Sequence, residues 1–192
     1  MLADVYVCVT SNTREEDIVR RAGIVAVVLA FLLAAAPAVM ARSTVTISPL
    51  GFMLGVLSGE FETEIGQDAL TFGVPVMYWS VESASFELTA FGTGAGVRYY
   101  IDRVPLEGFY VGGYVAYAGL RGNDGGTEFS GSALGITGVA GYKFVLNDRF
   151  VIDVGAGVGF PIAVNVSVGG VTESEIGGPF GTSFSVGLGI AL

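Results

Sequence analysis

The sequence contains no histidine, and its only lysine is Lys143. Histidine is the usual base that activates a serine nucleophile, and its imidazole is a common zinc ligand. A serine–lysine pair would have to use Lys143, but no S-x-x-K motif precedes it. These absences predict a protein that is not an enzyme, with no catalytic residue, no metal site and no cofactor.

Cysteine is almost absent too, because Cys8 is the only one. It lies upstream of the single long apolar run, Ala22 to Met40. Arg20 and Arg21 precede this run and small residues follow it, which is the layout of a secretory signal peptide. We therefore expect residues 1–41 to be a signal-peptide helix cleaved after Ala41, and a mature chain without thiol or disulfide chemistry.

The region around this signal allows three further interpretations. Cleavage after Ala38 is the second choice for the processing site, and an uncleaved signal anchor is the alternative to cleavage. The acidic residues Glu15, Glu16 and Asp17 do not fit a positively charged signal-peptide start. We therefore expect translation to begin near Val19, which would leave the residues upstream of it outside the natural precursor.

Charge is scarce throughout: 14% of the residues are charged, whereas soluble domains have about a quarter. The predicted mature domain, residues 42–192, has six basic and fourteen acidic residues, a net charge of −8. A nucleic-acid partner would require the opposite sign, so none is expected. Low charge together with 52% hydrophobic residues instead favours a membrane protein.

Residues 42–192 contain no helical periodicity, but a period of two is widespread. In "TSFSVGLGIAL" (182–192) large apolar residues alternate with serine, glycine and alanine, and "RFVIDVGAGVGF" (149–160) has the same pattern. One face is apolar and the other is small or mildly polar. Strands of about ten residues with this alternation are typical of transmembrane β-barrels.

Turn residues divide the predicted domain into eight strands. We expect connections near 66–68, 81–85, 102–106, 121–127, 147–148 and 167–179, and the first hairpin to turn at Ser58-Gly59. A single strand kinked at Gly51 or Gly55 is the alternative there. The predicted fold is an all-β, eight-stranded antiparallel up-and-down transmembrane barrel, with strands at 43–57, 59–66, 69–80, 86–101, 107–120, 128–146, 149–166 and 180–192.

Aromatic residues cluster at the strand ends. One group flanks the short turns: Tyr99, Tyr100, Phe109, Tyr110, Tyr142, Phe144 and Phe150. A second group, which includes Tyr78 and Trp79, flanks the longer loops together with Phe86, Tyr117 and Phe129. Two aromatic girdles are expected where amphipathic rings lie at the two lipid–water interfaces.

Three segments carry a family resemblance: "GVRYYI" (96–101), "GFYVGGYVAYAGL" (108–120) and "GVAGYKFVLNDRFVIDVGAGVGF" (138–160). The pattern, which covers essentially all of residues 42–192, resembles the small outer-membrane β-barrel superfamily that includes OmpA-type and opacity-type barrels. This resemblance implies location in the bacterial outer membrane as a monomer. It also implies contact with the lipid bilayer and lipopolysaccharide, and assembly by the barrel-assembly machinery.

Three glutamates alternate in "GEFETEIG" (59–66) and share one strand face: Glu60, Glu62 and Glu64. Alternation along the strand predicts that these glutamates point into the barrel, and the same alternation on other strands predicts that Arg98, Lys143 and Asp153 do so too. Because the interior of an eight-stranded barrel is just filled by side chains, these charges must pair with each other. The sequence thus predicts a lumen charge network in which Glu62 or Glu64 pairs with Arg98 or Lys143.

The sequence favours an outer-membrane barrel with a structural or interaction role and a plugged polar lumen. Two alternatives remain open at this stage. One is a narrow, weakly cation-preferring pore that uses the inward carboxylates as its filter. The other is a soluble periplasmic up-and-down barrel that binds an apolar ligand.

Overall fold

The alternation of large apolar with small or polar residues forms long antiparallel strands. The structure, a computed structural model, describes residues 42–66, 69–178 and 180–192. The predicted signal peptide and its cleavage site at Ala41 lie outside the described residues. The elements are β1 (Ser43–Ile47), α1 (Pro49–Met53), β2 (Val56–Glu64), β3 (Leu70–Ser83), β4 (Phe86–Tyr100), β5 (Gly108–Asp124), β6 (Thr127–Leu146), β7 (Phe150–Val168), β8 (Val171–Ile176) and β9 (Gly181–Ala191).

Each strand from β1 to β7 pairs antiparallel with the next one in the chain. β9 then pairs with β7 on one side and with β1 on the other, which closes the sheet. β8 pairs with residues 163–168 of β7, whereas β9 pairs with residues 150–159 of the same strand. β8 and β9 therefore lie one after the other along β7. The predicted all-β, eight-stranded, up-and-down antiparallel barrel is therefore confirmed.

The register of the closed sheet is strongly staggered. A path around the barrel starts at Ile152 of β7 and steps from each residue to its partner on the next strand, passing Leu188 and Ile47. It returns to β7 at Ala163, which is eleven residues after Ile152 in the chain. The stagger includes a bulge at Ile162, where the β6–β7 register shifts between Leu134 and Gly135. A stagger of this kind tilts the strands and sets the barrel's width.

The prediction for the first hairpin was wrong. Ser58 and Gly59 lie inside β2, paired with Met77 and Val76, and the chain turns earlier, through α1. The cause is a helix start at Ser48, whose side-chain oxygen accepts a hydrogen bond from the Gly51 backbone N–H (3.1 Å). Proline at the first helical position, which has no N–H to leave unpaired, reinforces that start.

Two of the predicted long loops are also strands in the structure. Between β5 and β6 only Gly125 and Gly126 form the turn, and between β7 and β8 only Gly169 and Gly170. All four have positive φ, which two-residue hairpin turns require and glycine adopts without strain. The chain thus forms three protruding hairpins, residues 77–92, 118–133 and 164–176, which we call the hairpin crown. The remainder of the paired strands is the barrel body.

The opposite end of the barrel has tight turns. Asn147 and Asp148 both adopt positive φ between β6 and β7, where the sequence predicted a connection. In the β4–β5 connection Leu106 also has positive φ, and its side chain is 2% exposed. It lines, with Thr44 and Val145, a cavity of about 310 Å³ at this end. A buried leucine therefore lies at the base of the barrel.

Candidate functional site

The barrel body encloses a cluster of charged side chains that we call the lumen network. Its ionised members are Glu60 and Glu62 from β2, Arg98 from β4, Lys143 from β6 and Asp153 from β7. Strand alternation turns each of them to the inward face, since successive side chains in a strand point to opposite sides. Five charges from four strands thus meet in one layer of the interior.

Glu62 is the centre of the network and is 1% exposed. Arg98 Nη1 donates a hydrogen bond to its Oε2 atom at 2.8 Å, and Lys143 Nζ donates to the same oxygen. Its other oxygen, Oε1, accepts from the Tyr100 hydroxyl at 2.9 Å and from Thr71 Oγ1. Four donors therefore surround one carboxylate, which offsets the cost of removing its charge from water.

Arg98 joins three carboxylates across the lumen. Beyond its contact with Glu62, Nη1 lies 2.9 Å from Asp153 Oδ2, and Nη2 lies 2.8 Å from Glu60 Oε2. Its Nε atom is buried and has no hydrogen-bond partner within the described residues. A planar guanidinium presents several donors at fixed angles, which a lysine cannot reproduce. The position therefore favours arginine specifically.

Tyrosines complete the network on the β5 side. The Tyr110 hydroxyl donates to Asp153 Oδ1 (2.7 Å), and the Tyr114 hydroxyl donates to Glu60 Oε1 (2.9 Å). The Arg98 guanidinium carbon lies 4.4 Å from the centre of the Tyr110 ring, within the range of a cation–π interaction. The tyrosines therefore donate hydrogen bonds to the carboxylates and fill space at the same time.

Glycines provide the room that these large side chains need. A Cβ atom at Gly96 would lie 2.6 Å from the Tyr114 ring, and one at Gly73 would lie 2.7 Å from the Tyr114 hydroxyl. At Gly112 it would approach the Arg98 side chain to 2.9 Å. Close approach of this kind explains glycines on the inward face of interior strands.

The structure brings together five of the six residues predicted for the lumen, and separates the sixth. Glu64 lies at the end of β2, where its Oε1 atom is 3.9 Å from Nη1 of the half-exposed Arg42. The sequence prediction missed Thr44, Thr71 and the three inward tyrosines. Parity could have identified these tyrosines, because Tyr100 shares a face with Arg98, and β5 must turn the alternate residues Tyr110 and Tyr114 to one side.

The predicted aromatic girdle divides between two environments. Tyr100 and Tyr110 are buried inside the barrel and do not belong to a girdle, because their parity turns them inward. Trp79 is also on the inward face, where it pairs with Ala90. The outward aromatic residues near the tight turns are Tyr99, Phe109, Tyr142, Phe144 and Phe150. Those near the crown are Tyr78, Phe91 and Tyr117.

A cavity of about 350 Å³ lies next to the network, on the crown side. Glu60, Arg98 and Asp153 border it, together with Met77 and Val186. On the other side of the layer, Lys143 Nζ donates to Thr44 Oγ1 (3.1 Å), and Thr44 borders the cavity that Leu106 lines. Different cavities thus lie on either side of a layer of paired charges.

The arrangement is suited to cross-linking strands. It contains two cations and three carboxylates, all with charged partners, and no thiol or imidazole. Within the part of the chain that the structure describes, no group of three or more acidic, cysteine or histidine side chains is arranged to hold a metal ion. The chemistry available here is ion pairing and hydrogen bonding across the barrel.

Comparison with known proteins identifies the family of this chain. Among the described residues, no helix is long and apolar enough to cross a membrane. No curated protein matches the chain. A family model described as "Protein of unknown function (DUF3575)" matches residues 25–166, which is more than half of the chain. The chain therefore belongs to the DUF3575 family.

Proposed function

We propose that this protein is a bacterial outer-membrane β-barrel with a structural or interaction role, anchored by its outward face and closed by the lumen network. The observation that carries the proposal is the polarity of the barrel body. Charged side chains are buried inside it, while large apolar side chains on its outward face are exposed. A water-soluble barrel would have the opposite arrangement.

The exposed apolar surface extends over most of the strands of the body. It contains outward residues of six strands: Phe72, Val97, Val111, Val115, Ile136, Val158, Phe160, Leu188 and Ile190. Exposed apolar patches on soluble monomers rarely exceed a few hundred Å². A surface of this extent is expected to be covered, and lipid acyl chains match its chemistry.

Outward aromatic residues bound this apolar surface at both ends. On β5 they are Phe109 and Tyr117, eight residues apart. At about 3.3 Å per residue and a tilt of about 40°, that spacing corresponds to roughly 20 Å along the barrel axis. The value is close to the apolar band of about 25 Å found in outer-membrane barrels.

The lumen network favours a closed barrel over the alternative of a cation-preferring pore. Glu62 and Lys143 are each 1% exposed, and Leu106 is buried at the base. The carboxylates of a selectivity filter must be free to bind passing ions. These carboxylates instead accept hydrogen bonds from donors on four strands, and two of those donors are the cations Arg98 and Lys143. We expect purified protein in planar bilayers to give no ion-selective single-channel currents.

Heat-modifiable gel mobility of the outer-membrane fraction tests the proposal. A folded barrel in that fraction should migrate differently from the boiled sample. Recovery in the aqueous periplasmic fraction would contradict it and support the soluble, ligand-binding alternative. Glu62→Gln is the matched variant for the pore alternative, since a change of ion preference in that variant would show that ions pass this carboxylate.

A further inference from the structure

The outward face of the hairpin crown carries polar side chains in ordered rows. One row crosses five neighbouring strands in register: Thr89, Arg121, Ser130, Ser167 and Thr172. The row nearer the hairpin tips contains Glu87, Asn123 and Glu128, and the row nearer the body contains Ser132, Asn165 and Ser174. Side chains on one sheet face and in one register row are close neighbours. The crown thus presents a continuous polar surface.

This surface borders a cavity of about 920 Å³. Its lining includes Thr89, Arg121, Asn123, Ser130 and Asn165. Leu88, Leu120 and Phe129 of the inward face also border it. The volume is within the range of small-molecule sites. A concave surface of this size and polarity is suited to a ligand that makes many hydrogen bonds.

Most of the donors and acceptors here are not used within the protein. Ser174 Oγ donates to Asn165 Oδ1 (2.7 Å), and Thr172 Oγ1 donates to Ser167 Oγ (3.2 Å). By contrast, Arg121 and Ser130 make no side-chain hydrogen bond or ion pair with any described residue, and neither do Glu87, Glu128 and Ser132. Mixed donors and acceptors remain available to a ligand.

The composition of the lining selects the class of ligand. One arginine beside two glutamates disfavours a phosphate or another strong anion. Hydroxyl, amide and carboxylate groups together match the hydroxyls of a sugar, which both donate and accept. Phe91 and Tyr117, with ring centres 5.8 Å apart, add an aromatic surface on which a sugar ring can pack.

The position selects the source of that sugar. Most of the residues that line the cavity belong to the outward rows, directly beyond the aromatic row that ends the apolar surface, and this is where lipid headgroups lie if the proposed function is correct. We propose that the crown binds the neutral saccharide headgroup of a membrane glycolipid. This inference rests on the proposed function, because a soluble barrel would not meet such a headgroup.

Native mass spectrometry of the full-length protein in detergent tests the assignment. The protein is titrated with a dihexosyl diacylglycerol, with phosphatidylglycerol of the same acyl chains, and with the free disaccharide. We expect the dihexosyl lipid to bind at least about tenfold more tightly than either of the other two, the difference that about 1.4 kcal/mol of headgroup hydrogen bonding produces.

Ser130→Leu places an apolar side chain in the middle of the cavity, and Ser83→Leu makes the same change at an exposed position that does not line it. We expect Ser130→Leu to weaken glycolipid binding by about tenfold or more and Ser83→Leu to leave it unchanged. Arg121→Gln removes the charged donor without adding an apolar group, and should also weaken binding about tenfold.

Heat-modifiable mobility, measured on every variant, separates misfolding from loss of the site. Equal binding of the two lipids, or unchanged binding in Ser130→Leu and Arg121→Gln when both are folded, would overturn the assignment. So would equal binding of the free disaccharide, because the lipid would then contribute nothing. Recovery of the wild-type protein in the soluble fraction would instead refute the proposed function, whatever the binding results.

Discussion

The barrel body and the hairpin crown are built from the same strands but have opposite polarity. In the body, charges face inward and valine, isoleucine and phenylalanine face outward. In the crown, the inward positions include Phe86, Leu120 and Phe129, while the outward rows carry serine, asparagine, arginine and glutamate. Alternation alone therefore does not determine which face of a strand is apolar.

Two mechanisms produce this reversal. Pairing of β4 with β5 and of β5 with β6 continues without a bulge from body to crown, so in these strands the sequence itself changes polarity. β7 differs, because the bulge at Ile162 shifts its parity. Without it, Asn165 and Ser167 would turn inward. The bulge thus aligns β7 with the outward polar rows of its neighbours.

Glu62→Ala tests the body most severely. It leaves Arg98 and Lys143 buried beside an empty position, and breaking a buried ion pair from one side costs about 3–5 kcal/mol. We expect the free energy of unfolding, measured by urea titration in detergent micelles, to fall by that amount. Glu64→Ala, which removes a contact with an exposed arginine, should change it by less than about 1 kcal/mol. Equal effects would show that the network does not stabilise the fold.

Ile136→Lys compares the two regions on a single strand face. Ile136 lies within the apolar surface, where a lysine in lipid is expected to cost about 2–4 kcal/mol. Ser130→Lys lies six residues away on the same face, in the crown, and should cost almost nothing. The measurement is the unfolding free energy of each variant reconstituted in lipid vesicles. Similar losses of unfolding free energy in the two variants would contradict the difference in surroundings between body and crown.

Gly96→Ala tests the packing of the lumen. The added methyl group would meet both the Gly113 carbonyl oxygen and the Tyr114 ring, and overpacking of this kind costs about 1–3 kcal/mol. Gly113→Ala on the neighbouring strand is the control, since its nearest neighbour would be 3.9 Å away. The midpoint of urea unfolding should fall for the first variant only. A stable Gly96→Ala protein would indicate that both the Tyr114 ring and the backbone at Gly113 can move.

Gly125→Ala is expected to have the smallest effect, and a local one. Gly125 has φ +56° at the tip of a crown hairpin, and an alanine in that conformation costs about 1 kcal/mol. Limited proteolysis should cut this hairpin faster, while the global free energy of unfolding falls by no more than about 1 kcal/mol. Gly138→Ala in the body, which has open space around it and no positive φ, should leave the cleavage rate as it is.

The sequence predicted the barrel because period two and glycine-rich turns are local signals, and it predicted the inward charges because parity is also local. It missed the turn through α1, although Ser48 followed by Pro49 is a local signal for a helix start. Nor could it show that Glu64 lies apart from Glu62, which depends on register with β6 and β7. Tyr100 and Tyr110 were assigned to the girdle from their position near turns, but parity decides their side.

The lumen network also has a consequence for how the barrel is made. Glu62 and Lys143 are 81 positions apart in the chain, and Lys143 and Thr44 are 99 apart. Such contacts contribute nothing until the strands between them are in place, and non-local pairings of this kind slow folding. Until β6 arrives, the glutamate has no lysine to bind, and β1 itself pairs with the last strand. Full pairing of the network therefore requires strands as far along the chain as β7, and a half-assembled sheet leaves some of these charges without their partners.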